Sequence, residues 1–154
     1  ARKIIKMILL DTNIVIYLAK GSLSYELIAK HDIAHSSITK IEALGYSKIT
    51  AQELLLLSTI FDESYELTIN NDVINRAITL RQAKNIRLGD AIIAATALVN
   101  DVTLWTANTD DFKHIVDLKI YNPLKPDWHD YISSMDGVFG KNPTQTIRDN
   151  RESD

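Results

Sequence analysis

Short continuous runs of apolar residues alternate along the chain with longer stretches in which apolar residues recur every three or four positions. The continuous runs predict buried strands, and the helically spaced stretches predict amphipathic helices. The predicted strands cover 7–10, 33–36, 65–69, 103–106 and 118–121. The predicted helices cover a stretch after Asn13 and then 24–30, 38–46, 50–61, 72–84, 90–100 and 110–115. This alternation favours right-handed crossovers between parallel strands, and therefore an α/β fold.

A length of 154 residues suits one domain with an appendage. Met7 could be a native start, so residues 1–6 are interpreted as an N-terminal extension and 7–128 as the folded domain. Residues 129–154 contain only scattered apolar residues, which cannot form a core by themselves. We interpret them as a C-terminal tail.

The overall composition excludes several classes of site. The formal net charge of −3 argues against a broad basic surface for duplex nucleic acid. The chain has no cysteine, which excludes thiol catalysis and cysteine-based zinc sites and suits a reducing, cytoplasmic location. Its apolar runs are too short to span a bilayer, so no membrane association is expected.

Four acidic residues stand at points where a predicted strand gives way to a helix: Asp11, Glu42, Asp90 and Asp111. The carboxyl ends of parallel strands meet at one edge of a sheet, where α/β proteins keep their sites. Carboxylates that meet there repel one another unless a cation binds between them. Hard oxygen ligands favour Mg²⁺ or Mn²⁺, so the pattern predicts a divalent metal site.

Each acid also has a plainer interpretation. Asp11 could cap a helix, although Asn13 already supplies a cap. Thr39 and Glu42 have the spacing of a capping box, which spacing alone favours over a ligand role for Glu42. Asp90 in a first helical turn is stabilised by the helix dipole. Its helix is rich in small residues and is expected to pack closely, so an acid at its start, rather than a plain Ser or Thr cap, favours a functional role for Asp90.

The remaining charged residues carry weaker signals. The histidines show no metal-ligand spacing and are interpreted as surface or incidental residues; they are His31, His35, His114 and His129. Most basic residues suggest solvated helix faces. Arg87 is the exception, because it precedes Asp90 by three residues.

The ordered set of motifs resembles the PIN-domain ribonucleases, specifically VapC-type toxins of toxin–antitoxin pairs. The motifs are Asp-Thr-Asn at 11–13, Ser-x-x-Thr-x-x-Glu at 36–42, Asp-Ala-x-Ile-Ala-Ala at 90–95 and Thr-x-Asn-x-x-Asp-Phe at 106–112. The resemblance runs from about Met7 to Trp128. It implies a three-layer fold with a parallel sheet of about five strands flanked by helices, usually as a homodimer.

By this resemblance, Asp11, Glu42 and Asp90 match the family's metal-binding acids, and Asp111 matches the acid that often completes the site. The adjacent Asp110 departs from the pattern and leaves the fourth assignment ambiguous.

Thr12 and Asn108 match polar residues that commonly support the site. The implied activity is a metal-dependent endoribonuclease: Mg²⁺ or Mn²⁺ activates a water that cleaves RNA phosphodiester bonds, and an antitoxin neutralises the enzyme.

Other functions stay open at this point. One is a housekeeping RNA-processing PIN nuclease, and another is a non-catalytic α/β signalling or binding module, for which Lys125 is poorly placed. The tail resembles an antitoxin arm, and Arg148 or Arg151 could enter the acidic site as an inhibitor, because a guanidinium pairs bidentately with carboxylates. The competing interpretation of the tail is an extension without function.

Overall fold

The computed structural model describes residues 6–125, which form one five-stranded sheet flanked by helices. Leu124 begins a second unit, of which only Leu124 and Lys125 are described. The strands are β1 (Met7–Leu10), β2 (Asp32–Ser36), β3 (Tyr65–Leu67), β4 (Thr103–Trp105) and β5 (Ile120–Tyr121). Their spatial order is β3-β2-β1-β4-β5, and every neighbouring pair is parallel. This confirms the predicted α/β fold.

Helices cover both faces of the sheet. They are α1 (Thr12–Lys20), α2 (Ser37–Leu44), α3 (Ala51–Asp62), α4 (Asn71–Ala83), α5 (Leu88–Asn100) and α6 (Thr109–Phe112). The predicted helix over 24–30 is reduced to one 3-10 turn, Tyr25–Leu27. Within residues 6–125, no helix combines the length and the hydrophobicity that a membrane-spanning segment needs.

Strand β1 separates the two hydrophobic cores. Side chains alternate between the faces of a strand, and accordingly Leu9 packs with residues of α4, α5 and α6 in one core. Ile8 and Leu10 pack with residues of α1, α2 and α3 in the other. The central strand is therefore buried on both faces, as expected for a parallel sheet covered by helices.

Helix α5 is the most deeply buried helix. Six of its residues are buried: Ala91, Ile93, Ala94, Ala95, Thr96 and Ala97. Small side chains let α5 pack closely against α4 and the sheet. This packing fixes the position of its first turn, which carries Asp90 at the carboxyl edge of the sheet.

Candidate active site

Asp11 stands directly after the central strand β1. Its backbone N–H donates to the carbonyl of Trp105, so the pairing of β1 with β4 continues to this residue. Asp11 is also the N-cap of α1: its Oδ1 accepts from the backbone N–H of Thr12 at 2.8 Å. The expectation that Asn13 caps this helix is wrong, since Asn13 already lies inside it.

The second carboxylate oxygen of Asp11 is held as firmly as the first. Its Oδ2 accepts from the hydroxyl of Thr106 at 2.7 Å, and both residues are buried. Burial raises the pKa of the Asp11 carboxyl, although the hydrogen bonds from Thr106 and Thr12 oppose this effect. Glu42 and Asp111 raise this pKa further through their charges. Burial and the neighbouring carboxylates therefore disfavour the ionised form of Asp11.

Glu42 belongs to the same group. Its Oε1 accepts from the hydroxyl of Thr12 at 2.7 Å, and the Thr12 oxygen in turn accepts from the hydroxyl of Thr39 at 3.1 Å. The capping-box interpretation of Thr39 and Glu42 is wrong: α2 begins one turn earlier, and Ser36 is its N-cap, accepting from the N–H of Ile38. Glu42 is thus free of a capping duty and points towards α1.

Gly89 lets the first turn of α5 approach Glu42. A Cβ at position 89 would lie 3.1 Å from Glu42 Oε2, tighter than nearly all ordinary contacts of that kind. The N-cap of α5 is Arg87, which makes no side-chain capping bond. Because Gly89 has no side chain, the turn that carries Asp90 can lie directly against Glu42.

The electrostatics of Asp90 depend on the whole group. Burial, followed by the charges of Asp11 and Asp111, raises the pKa of Asp90 to about 6 from an ordinary 3.8. Arg87 lowers the pKa and Glu42 raises it further, both to a smaller extent. Four carboxylates from four separate segments thus act on one another, and we name them the carboxylate cluster: Asp11, Glu42, Asp90 and Asp111.

The two adjacent acids of α6 behave differently. Asp110 is 87% exposed and pairs with Lys113 at 3.2 Å, one turn along the helix. Asp111 instead contributes to the raised pKa values of both Asp11 and Asp90. The sequence matched Asp111 to the acid that completes the site but left the choice ambiguous because of Asp110, and the geometry favours Asp111 as the fourth member of the cluster.

No lysine or arginine of residues 6–125 makes an ion pair with the carboxylate cluster. Within the same range, no three acidic or histidine side chains are close enough, as they stand, to hold one metal ion. Within residues 6–125 the cluster is therefore a set of mutually repelling carboxylates without an ion-paired cation, although Arg87 acts on Asp90 through its charge, and it is not a preformed coordination shell.

The two predicted supporting residues make different contacts: Thr12 bonds through its side chain, whereas Asn108 bonds through its backbone. Thr12 joins Glu42 to α1, as described above. The Asn108 side chain makes no capping bond, and its backbone N–H donates to Thr106 Oγ1 at 3.0 Å. Arg148 and Arg151 lie outside the described residues, so their inhibitory role stays a prediction.

Sequence reasoning missed Thr106, Thr39 and Gly89 as parts of the site. The available signals were their positions inside the quoted motifs: Thr106 opens Thr-x-Asn-x-x-Asp-Phe, Thr39 is the middle residue of Ser-x-x-Thr-x-x-Glu, and Gly89 precedes Asp90. Their hydrogen bonds and close approach depend on segments far apart in the chain, which the motifs alone do not specify.

A second polar cluster lies at the neighbouring strands β2 and β3, and we name it the histidine–glutamate cluster: His35, Ser37, Lys40, Ser64 and Glu66. His35 is 1% exposed, so it is not a surface residue. Its Nδ1 lies 2.9 Å from Ser64 Oγ, while its Nε2 is 3.6 Å from Glu66 Oε1, beyond hydrogen-bond distance. Burial lowers the pKa of His35.

Comparison with known proteins gives the family. The family model of the PIN domain matches residues 8–118, which is most of the chain and spans all four acids of the carboxylate cluster. The chain belongs to the PIN-domain family. Among curated proteins, none matches it significantly.

Solved structures of toxin–antitoxin complexes are similar to this PIN domain. A chain of a complex from Klebsiella pneumoniae is 30% identical, with a TM-score of 0.61, and the match covers 75% of this chain and 96% of that one. VapBC2 from Rickettsia felis, bound to a promoter DNA fragment, gives 27% identity, a TM-score of 0.66 and coverage of 75% and 98%. VapBC-1 from nontypeable Haemophilus influenzae gives 25% identity and a TM-score of 0.65, and the match covers 77% of this chain and 99% of that one. The predicted resemblance to VapC-type PIN domains is confirmed.

Proposed function

We propose that this PIN domain is a metal-dependent endoribonuclease that acts as the toxin of a toxin–antitoxin pair. The observation that carries the proposal is the carboxylate cluster: burial and mutual repulsion raise the pKa values of Asp11 and Asp90, and within residues 6–125 no lysine or arginine forms an ion pair with the cluster. Such a cluster is stabilised by a bound divalent cation. The donor set consists only of carboxylate oxygens, which suits Mg²⁺ or Mn²⁺.

Asp11, Glu42, Asp90 and Asp111 would hold the ion. When bound, it would supply charge neutralisation at the scissile phosphate and a water of lowered pKa. The chain's own residues prepare this site. Hydrogen bonds from the Thr106 hydroxyl and the Thr12 backbone fix both oxygens of Asp11, while the Thr12 hydroxyl orients Glu42. These hydrogen bonds orient the two side chains before an ion binds, although the four carboxylates would still have to move closer together to coordinate it.

The direct test is cleavage of a labelled RNA by the purified chain, with Mg²⁺ or with a chelator. The Asp11→Asn/Asp90→Asn variant should abolish cleavage and keep the fold. The matched control is Asp62→Asn, because Asp62 is an exposed acid at the end of α3. Added Mg²⁺ or Mn²⁺ should raise the Tm of the wild type by mass action, and not that of the double variant. Equal cleavage by all three proteins would overturn the proposal.

The toxin role is supported by the solved relatives, which come from toxin–antitoxin complexes. It is also supported by large apolar side chains that the neighbouring helices α2 and α3 leave exposed, namely Ile41, Leu54 and Leu55. A partner chain that covers them would remove apolar surface from water. Homodimer formation would do the same, and we propose both associations.

Brief induction in a bacterium, followed by transcriptome-wide mapping of RNA 5′ ends, tests the toxin role. We expect growth arrest with new 5′ ends at a small set of sites. Arrest should disappear in the Asp11→Asn/Asp90→Asn variant. Unchanged growth and an unchanged 5′-end map on induction of the wild type would contradict a toxin.

A further inference from the structure

A groove lies beside the carboxylate cluster. It has a volume of about 410 Å³. One wall is the loop between α4 and α5, the other is α6 together with His114, and Asp90 and Asp111 belong to its lining. The groove therefore leads directly into the proposed active site. Its size suits about one nucleotide unit, since small-ligand pockets begin at roughly 300 Å³.

The loop wall contributes the positive charges. Lys84 and Arg87 line the groove, and both side chains are exposed. Neither makes an ion pair with any residue in the described range 6–125. The nearest acids do not neutralise them: Asp90 interacts with Arg87 only at longer range, and Asp110 is paired with Lys113. Two cations thus stand unpaired beside acids that would repel a polyanion.

We propose that Lys84 and Arg87 bind a backbone phosphate of single-stranded RNA next to the phosphate that is cleaved. This inference rests on the proposed nuclease function and names the residues that position its substrate. Arg87 can bind phosphate oxygens bidentately, and Lys84 acts as a point charge. Because the chain is acidic overall, such local contacts are required to bring a phosphodiester to a carboxylate cluster. Two cations neutralise one or two phosphates, which suits a short single strand better than a duplex.

The contact is to phosphate, so it should not distinguish RNA from DNA. This gives a binding test that is independent of cleavage. Fluorescence anisotropy would measure the binding of a short unstructured RNA, and of the same sequence as DNA, with chelator present to prevent cleavage. Measurement at about pH 8 keeps Asp90 ionised in every variant, because its pKa is about 6. The effect of Arg87 on that pKa then does not disturb the comparison.

Arg87→Gln and Lys84→Gln should each weaken binding of both oligonucleotides by about tenfold, as expected for losing a hydrogen bond to a charged group. The slope of log affinity against log salt should decrease by about 0.7 for each lost phosphate contact on a single strand. The matched control is Arg76→Gln, which removes the same charge from an exposed position on α4 outside the groove. This variant should bind like the wild type.

Cleavage by the same proteins separates this inference from the proposed function. Lys84→Gln should raise KM about tenfold and leave kcat nearly unchanged, since the contact is made in both the bound and the transition state. If the wild type cleaves RNA and both groove variants match Arg76→Gln in affinity and salt slope, the inference is wrong and the nuclease stands. If the wild type binds RNA and both groove variants lower the affinity and the salt slope as predicted, but the wild type never cleaves RNA, the proposed function fails and the phosphate-binding inference stands. Absence of any RNA binding by the wild type overturns the inference.

Discussion

The carboxylate cluster and the histidine–glutamate cluster occupy adjacent positions at the same edge of the sheet, yet the pKa values of their carboxyl groups shift in opposite directions. In the histidine–glutamate cluster, Glu66 accepts from the Ser37 hydroxyl at 3.0 Å and from Lys40 Nζ at 3.3 Å, and its pKa is lowered mainly by the Ser37 bond. In the carboxylate cluster, the pKa values of Asp11 and Asp90 are raised. Polar residues at a sheet edge therefore do not by themselves indicate a site. Carboxylates without an ion-pair partner do indicate a functional site, because keeping them close together costs electrostatic free energy that folding alone does not require.

The largest expected effect that sharpens this comparison is on Glu42. Glu42→Gln should reduce RNA cleavage by about 100-fold or more, because it removes a charged metal ligand. Its free energy of unfolding should hold or rise, since one of several repelling charges is removed. Cleavage rates and urea unfolding would be measured on the same preparation.

Ser36→Ala is the contrasting variant for Glu42→Gln, since Ser36 is the true N-cap of α2. It should lower the free energy of unfolding by about 0.5–2 kcal/mol and keep cleavage. A Glu42→Gln variant that instead loses stability and keeps full activity would return Glu42 to a structural role.

The assignment within α6 gives the next largest effect. Asp111→Asn should slow cleavage about tenfold, since Asp111 acts on both Asp11 and Asp90 through its charge. Asp110→Asn removes the same charge one position earlier, from a side chain paired with Lys113. Its cleavage rate should stay within about twofold of the wild type, because exposed ion pairs contribute little. The reverse order of the two variants would contradict the assignment.

These two comparisons show how far the sequence alone could lead. The alternation of strands and helices predicted the fold class and all five strands found in the part of the chain that the structure describes, since most of these parallel strands leave a local apolar signature. Asp11, Glu42 and Asp90 could be chosen as candidates because each follows a predicted strand or opens a helix. The role of Glu42 could not be predicted. The capping box places the N-cap of α2 at Thr39, whereas the N-cap is Ser36, about one turn earlier, and this changes which side chains cap the helix.

Other features of the site were beyond the sequence for a different reason. Thr106 and Asp11 are 95 positions apart and meet only after β4 pairs with β1. The distinction between Asp110 and Asp111 depends on which side of one helical turn faces the sheet. The burial of His35 was hidden because it lies in a strand too short to show a clear alternation. Long-range register and side-chain direction are tertiary properties, and no local motif encodes them.

The two clusters should also respond to pH in opposite directions. Asp90 has a folded-state pKa of about 6, above its ordinary 3.8, so the folded protein holds more protons than the unfolded chain between these values. Its contribution to the free energy of unfolding therefore falls as pH rises from about 4 to 6. The pKa of His35 is lowered from 6.5, so the contribution of His35 rises as pH increases towards that value.

The difference between wild type and Asp90→Asn isolates the carboxylate side of this comparison. Asp90→Asn should be the more stable protein above about pH 6, and its advantage should shrink as pH falls towards 4, where wild-type Asp90 is protonated in the folded state. Urea unfolding in metal-free buffer at several pH values would measure this. A stability difference that stays constant across the range would show that Asp90 titrates normally. Saturating Mg²⁺ should reverse the order at high pH, because only the wild type retains the full ligand set.

The smallest expected effect is that of Glu66→Gln, which tests whether the active site ends at the carboxylate cluster. Glu66→Gln keeps a side chain that can accept from Ser37 and loses the charge that faces Lys40. Because this ion pair is partly exposed, the free energy of unfolding should fall by about 1 kcal/mol or less. Since the folded-state pKa of Glu66 is lowered, this small contribution is present above its unfolded pKa and disappears in acid, so the wild type and the variant should become equally stable at low pH. RNA cleavage should be unchanged, because the charge of Glu66 does not act on Asp11 or Asp90. A loss of cleavage comparable to that of Glu42→Gln, with stability preserved, would mean that both clusters belong to one functional site and that partnered charges at this edge also serve the reaction.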